Sequence, residues 1–200
     1  MGVPQEFWNQ AYSDGSYLTQ WDYDYPSQEL IGVLSAINLL PGSKILDLGC
    51  GGGRDAIYMA QQGFSVSGID LSAAAVEIAQ RRAIDLNTTV DWRVGNVLNL
   101  PFANNSFEMI TDRACFHHIS HQDRTQYAIE VSRILSVGGL LLIRGSYHEN
   151  ADSFFAVTKD SIQDHFGNLG FQIGPLLPIA LVNNSGKLTA NMVLLRKAVR

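Results

Sequence analysis

The chain has 200 residues, 46% hydrophobic and 16% charged, with a formal net charge of −5. That composition predicts one soluble globular domain, 1–200, with a sizeable core, and without a block of like charge a surface that tracks nucleic-acid phosphates is not expected. No apolar run approaches the ~18 residues of a membrane span, no signal-peptide pattern opens the chain, and Cys50 and Cys115 lack metal-ligand spacing, so a reduced cytoplasmic setting is expected.

Taken in order, residues 1–40 are expected to be helical and rich in aromatics, with one helix over 27–39 stopped by Pro41-Gly42. KILDL (44–48) reads as a short buried strand, followed by a helix over 54–62 closed at Gly63 by a left-handed cap. FSVSGID (64–70) alternates like a strand, and Ser72 can cap a helix running to Leu86. Residues 90–95 and 107–112 are further strands. Ser120 with Asp123 resembles a capping box, and Tyr127, Val131, Ile134 and Leu135 form one helical stripe. Gly138-Gly139 is expected to stop that helix before the strand LLLIR. Thr158 opens a helix carrying Ile162, Phe166 and Leu169, and then FQIGPLLPIALV and LTANMVLLRKAV form two strands joined by NNSGK. Pro175 and Pro178 predict that the first of these is bent or at an edge.

This alternation implies an α/β, doubly wound, mostly parallel sheet with helices on both faces, finished by an antiparallel hairpin. Residues 41–145 would form a cofactor-binding core and 146–200 a C-terminal helix and hairpin. In such folds ligands lie beyond the C-terminal ends of the strands, where the loop GCGGG (49–53) falls.

Gly49, Gly51 and Gly53 have a G-x-G-x-G spacing, and Asp70 ends the next strand, where a carboxylate can accept both ribose hydroxyls. A nicotinamide dinucleotide and S-adenosylmethionine are both admissible on that pattern. Asp47 favours the second. A carboxylate at the loop entrance opposes a diphosphate, whereas it stabilises a cationic amino group and sulfonium.

The stretch ILDLGCGGGRDAIYMAQQGFSVSGIDLS resembles the first motif and ribose-binding acid of class I S-adenosylmethionine-dependent methyltransferases. VGNVLNLPFANNSFEMI and LSVGGLLLI resemble later motifs of the same family, in the same order. The resemblance implies a Rossmann-like sheet of seven strands, order 3-2-1-4-5-7-6, whose last strand inserts antiparallel. It implies that Gly49, Cys50 and Gly51 line the methionyl part, Asp70 holds the ribose, and Leu71 flanks the adenine. Asn96 and Val97 would meet the adenine edge, and Arg113 would lie by the methionyl group. Asn96 stands where many relatives carry an acid, so its amide oxygen would accept without charge assistance. FWNQAYSDGSYLTQWDYDYPSQEL resembles the N-terminal segment of the tellurite-resistance and thiopurine methyltransferase group. Ala114 departs from the glycine frequent there.

Seven of the nineteen aromatics lie in the first 25 residues. They predict either a flap over the cofactor and the acceptor, with Tyr17 and Trp21 contributing, or a helix packed on the domain body. His117 and His118 are the candidate general bases if the acceptor is a hydroxyl. His117 and His121 are four apart, but the segment reads as a strand end and loop, so no metal is expected. Arg54 is expected to begin a helix and pair with an acid. The expected activity is methyl transfer from S-adenosylmethionine to a small molecule, leaving S-adenosylhomocysteine. A nicotinamide-dependent oxidoreductase and a non-catalytic S-adenosylmethionine-binding protein are the alternatives.

Overall fold

The structure is a computed structural model that describes residues 3–148 and 154–198; the expected strand end at Val199 lies outside the described residues. Eight strands form one sheet: β1 Lys44–Leu48, β2 Ser65–Asp70, β3 Asp91–Val94, β4 Phe107–Arg113, β5 Leu135–Ser146, β6 Phe171–Ile173, β7 Leu177–Asn183 and β8 Gly186–Lys197. Their order is β3-β2-β1-β4-β5-β8-β6, with β7 also paired to β8. The first five are parallel, and β8 inserts antiparallel beside β5.

This is the expected Rossmann-like order with one strand divided. Gly174-Pro175-Leu176 interrupts the segment expected to be continuous from 171 to 182, so β6 and β7 pair separate parts of β8. Proline cannot donate to the ladder, and a Cβ on Gly174 would lie 2.6 Å from the Leu194 carbonyl oxygen. Among the described residues the sheet therefore has eight strands where seven were expected.

Side chains of β1 alternate between two apolar layers. Ile45 packs with Val66, Met109 and Leu142 against α3 (Gln28–Ala36) and α4 (Arg54–Gln61). Leu46 and Leu48 pack with Ile110, Leu141 and Ile143 against α6 (Arg124–Ile134) and α7 (Lys159–Phe166). A third cluster joins the N-terminal helices α1 (Gln5–Ser13) and α2 (Tyr17–Gln20) to α5 (Ala73–Asp85) through Tyr12, Tyr17 and Ala75.

Several local signals hold. Ser72 Oγ accepts the Ala75 amide at the start of α5, Thr158 and Ser161 form a reciprocal capping box on α7, and Gly63 follows α4 with φ +89°. Others do not. The Ser120 hydroxyl donates to the Asp123 carboxylate at 2.6 Å instead of capping an amide, and α6 begins at Arg124. Helix α3 ends at Ala36, before Pro41-Gly42 is reached, because Ile37 is already extended. Gly138-Gly139 lies within β5 as an irregularity, so that Phe107 pairs with Leu135 but Met109 with Leu140.

Candidate active site

Loop 49–53 runs from the end of β1 to the start of α4, and its glycines answer to close packing by the chain itself. Gly49 has φ +64°, and a Cβ there would lie 2.7 Å from Cys115 Cβ. Gly51 has φ +51°, and a Cβ there would meet the Tyr12 hydroxyl at 2.5 Å. Only a residue without a side chain fits either position comfortably. Cys50 is buried beside Gly68, and Gly53 precedes Arg54 in the left-handed conformation.

The acid at the end of β2 is bound into this loop. Asp70 Oδ2 accepts the Gly51 amide at 2.9 Å and Oδ1 accepts the Ser72 amide at 2.9 Å. Burial raises its pKa, and these bonds oppose that rise. Leu71 and Ser72 lie under α1: Gln5 Nε2 donates to the Leu71 carbonyl at 2.8 Å, and the Ser72 hydroxyl bonds Asn9 Oδ1 at 2.8 Å. Asn96 Oδ1 accepts the Leu98 amide at 2.9 Å, which occupies one lone pair of the oxygen expected to face adenine. Val97 is buried in the α6 layer.

Asp47, Thr111 and Arg144 share the α3/α4 face of the sheet. Asp47 is buried, and among the described residues no hydrogen bond reaches its carboxylate. Burial first, then the nearby Asp55 charge, hold its pKa well above the usual carboxylate range. Its neighbours are better satisfied. Arg144, fully buried, donates to Asp55 at 3.2 Å and Thr111 at 2.7 Å, while Ser27 donates its amide and hydroxyl to Asp55 at 2.8 and 2.6 Å. Burial would raise the Asp55 pKa, but the Arg144 charge and the Ser27 bonds outweigh it and lower it.

Arg113 stacks its guanidinium 4.1 Å over the Tyr23 ring, lies 3.5 Å from Glu29, and donates to the Val182 carbonyl at 2.9 Å. The expected neighbour of the methionyl group is thus anchored to the N-terminal segment and to β7. Arg54 begins α4 and pairs with Asp22, as its position suggested.

The two histidines differ. His117 is buried, its Nδ1 accepts the Ser146 amide at 2.7 Å, and its buried Nε2 has no hydrogen-bond partner among the described residues. Burial, then the charge of His118, hold its pKa well below the ordinary value. A ring whose basic nitrogen is already engaged by a backbone N–H is poorly placed to take a proton from an acceptor. His118 is partly exposed, 4.7 Å from the Trp8 ring and 5.1 Å from Phe154. Phe116–His118 is a 3-10 turn followed by extended Ile119, so His117 and His121 do not share a helical face. Burial also pushes the Cys115 thiol up, which disfavours a reactive thiolate.

Tyr17 and Trp21 stand one layer away from the glycine loop. Tyr17 packs 4.7 Å from Tyr12, and Trp21 Nε1 donates to the Tyr12 hydroxyl at 3.1 Å. Tyr12 itself is the aromatic on Gly51, a role that its sequence context does not single out. Its pKa is raised by burial and by the Asp70 charge.

Sheet order and glycine loop define the class first: a Rossmann-like α/β protein. Residues 45–139 match the family model described as "Methyltransferase domain". The chain is 38% identical over 108 residues to phosphoethanolamine N-methyltransferase 1 of Arabidopsis thaliana, covering 54% of this chain and 22% of that protein. It is 32% identical over 131 residues to ubiquinone biosynthesis O-methyltransferase of Xanthomonas oryzae, covering 62% of this chain and 54% of that one. The chain thus spans about half or less of the length of these curated relatives. Magnesium protoporphyrin IX methyltransferase of Synechocystis PCC 6803, solved with bound S-adenosylhomocysteine, superposes with a TM-score of 0.78 at 16% identity, covering 97% of each chain. Over residues 45–139 the chain is thus similar to methyltransferase domains, and its sheet is that of their Rossmann-like fold.

Proposed function

We propose that this protein transfers a methyl group from S-adenosylmethionine to a small-molecule acceptor. The observation that carries the reading is the pair of carboxylates, Asp47 and Asp70, that bracket a loop built of glycine. The residues present fit the cofactor. Asp70 retains lone pairs for ribose hydroxyls, and Asp47 is a buried carboxylate that accepts no hydrogen bond among the described residues. A diphosphate would gain nothing from a protonated Asp47 and would be repelled by an ionised one, which disfavours a nicotinamide dinucleotide.

When bound, S-adenosylmethionine supplies an activated methyl group on a positively charged sulfur. The protein's part is to hold and to dehydrate. Gly49, Cys50, Gly51 and Gly53 would line the methionyl chain, with Arg113 reaching that end only by leaving Glu29; Leu71, Asn96 and Val97 would border the adenine. A cation beside Asp47 favours its ionised form, so binding and deprotonation of Asp47 are linked. Helices α1 and α2 serve as a flap that excludes water, with Tyr12 as its inner surface and Tyr17 and Trp21 behind it. His118, beside Trp8 and Phe154, is the better placed of the two histidines to border the acceptor; alignment of the reacting pair supplies most of the rate.

The named relatives act on small molecules, and the chain has no basic stripe, which together favour a small acceptor over nucleic acid or protein. Within the superfamily the aromatic segment 7–30 favours the tellurite-resistance and thiopurine group, and a reduced cytoplasmic setting suits the two free cysteines. Calorimetry with S-adenosylmethionine, S-adenosylhomocysteine and NAD tests the cofactor. Methyl release from labelled cofactor onto thiols, selenite, tellurite, thiopurines and small acids tests the transfer. Affinity for NAD alone would replace this reading with an oxidoreductase. Cofactor affinity without release onto any acceptor would leave a binding protein.

A further inference from the structure

The segment that joins α2 to α3 contains one buried acid. Asp22 is 6% exposed and faces two arginines from different elements. Arg54, at the start of α4, donates Nε at 3.2 Å and Nη2 at 3.1 Å; Arg82, in α5, donates Nη2 at 2.7 Å and Nη1 at 3.5 Å. Arg82 Nη1 also donates to the Gly52 carbonyl at 3.0 Å. One carboxylate therefore joins the N-terminal helices to both ends of the glycine loop's support. Removing it would leave two guanidinium groups facing each other with one exposed acid, Asp24, as partial compensation.

The same residue is held from a second side. Its carbonyl accepts the Asn184 amide at 2.9 Å, Asn184 Nδ2 donates to the Leu18 carbonyl at 2.9 Å, and the Ser185 hydroxyl donates to the Gln20 carbonyl at 2.9 Å. The turn between β7 and β8 thus satisfies carbonyls at the C-terminal end of α2, which have no partner within so short a helix. Meanwhile Tyr12 lies on Gly51, and α1 lies on Leu71 and Ser72. A ligand of the glycine loop cannot enter or leave past these contacts unless α1 and α2 lift, and they cannot lift far while Asp22 keeps its partners.

We propose that Asp22 is the latch of the N-terminal flap: a positioning residue that holds α1 and α2 closed over the glycine loop through Arg54 and Arg82, with Asn184 and Ser185 as its second anchor. This rests on the cofactor site proposed above, but the latch itself can be read without a ligand. Both arginines are partly exposed, so salt weakens the latch as well as mutation does.

Hydrogen exchange on the ligand-free chain is the first measurement. In Asp22→Asn the amides of residues 5–21 should exchange about tenfold faster or more, while those of β1, β4 and β5 keep their protection. Asp22→Glu should restore part of the protection. If Asp22→Asn loosens the whole domain, exchange of residues 5–21 in the wild type at rising salt decides, since salt weakens these ion pairs without stranding a buried charge. Unchanged exchange over 5–21 in a folded variant overturns the latch.

The second measurement is stopped-flow dissociation of S-adenosylhomocysteine. Asp22→Asn should raise the dissociation rate about tenfold, and added salt should bring the wild type toward the variant. A purely structural defect would instead lower the amount of binding-competent protein at an unchanged dissociation rate, and that result counts against the proposal. Failure of the wild type to bind S-adenosylhomocysteine would remove the cofactor reading and leave the exchange experiment to judge the latch.

Discussion

The Gly51 amide donates to Asp70 Oδ2 at 2.9 Å, so the acid that ends β2 is part of the glycine loop before any ligand arrives. Asp70→Ala therefore removes a ribose acceptor and also frees the loop and the start of α5. Cofactor affinity should fall by at least tenfold, and stability should fall by about 1–3 kcal/mol from the unpaired amides. Titration calorimetry and urea unfolding read the two losses. Near-normal affinity would remove the ribose assignment.

Gly49 and Gly51 differ in what opposes them. A Cβ on Gly49 would press on Cys115 Cβ, one bond from the backbone, whereas a Cβ on Gly51 would press on the far end of Tyr12. Both substitutions are strained by positive φ, at about 1–2 kcal/mol. Gly49→Ala is expected to lose more stability than Gly51→Ala, and Gly51→Ala should chiefly displace the N-terminal helices. Denaturation midpoints and tryptophan fluorescence from Trp8 and Trp21 check this. Equal losses at the two sites would contradict the packing argument.

Asp112 accepts Tyr127 Oη at 2.7 Å and the amides of Cys115 and Phe116, yet burial lifts its pKa to about 6. A carboxyl raised in the folded state keeps its proton after the unfolded chain has lost it. Its contribution to stability is therefore present below the unfolded pKa and is lost as pH rises through the window from about 4 to about 6. The amount is on the order of 2–3 kcal/mol. Carboxylates lowered by partners, such as Asp22 and Glu130, slope the other way. The comparison to make is the pH dependence of stability for the wild type against Asp112→Asn, in which this falling component should vanish. An identical profile would sink the assignment.

Asp47 should give up a proton when a cationic cofactor arrives. Calorimetry of S-adenosylmethionine in buffers of different ionisation enthalpy should show proton release that is absent in Asp47→Asn. S-adenosylhomocysteine, without the sulfonium charge, should release less. Equal release for both ligands would detach the proton from the sulfonium.

What the sequence revealed followed local rules. Ser72 and Thr158 announce their helices because a hydroxyl three residues before a free amide is a short-range solution to a short-range problem. The glycine loop and Asp70 could be paired from spacing because only one helix and the strand that Asp70 ends follow the loop before it. Tyr12 could not be placed on Gly51, nor Asp22 between Arg54 and Arg82, because those contacts join elements 30 to 60 residues apart and carry no periodic signal. The surroundings of His117 were hidden for a related reason. The Ser146 amide that occupies its Nδ1 comes from the end of another strand, and nothing near His117 foretells it. The divided strand was half visible, since Pro175 and Pro178 marked the trouble but not the place where pairing resumes.

Strand β8 lies between β5 on one side and β6 and β7 on the other, although it is synthesised after all three. While the ribosome is still delivering residues 186–197, the apolar edge of β5 through Leu141, Leu142 and Ile143 has no neighbour to saturate its amides and carbonyls. The nascent chain is then a sheet with an open, sticky margin, and chaperone demand should peak in that interval.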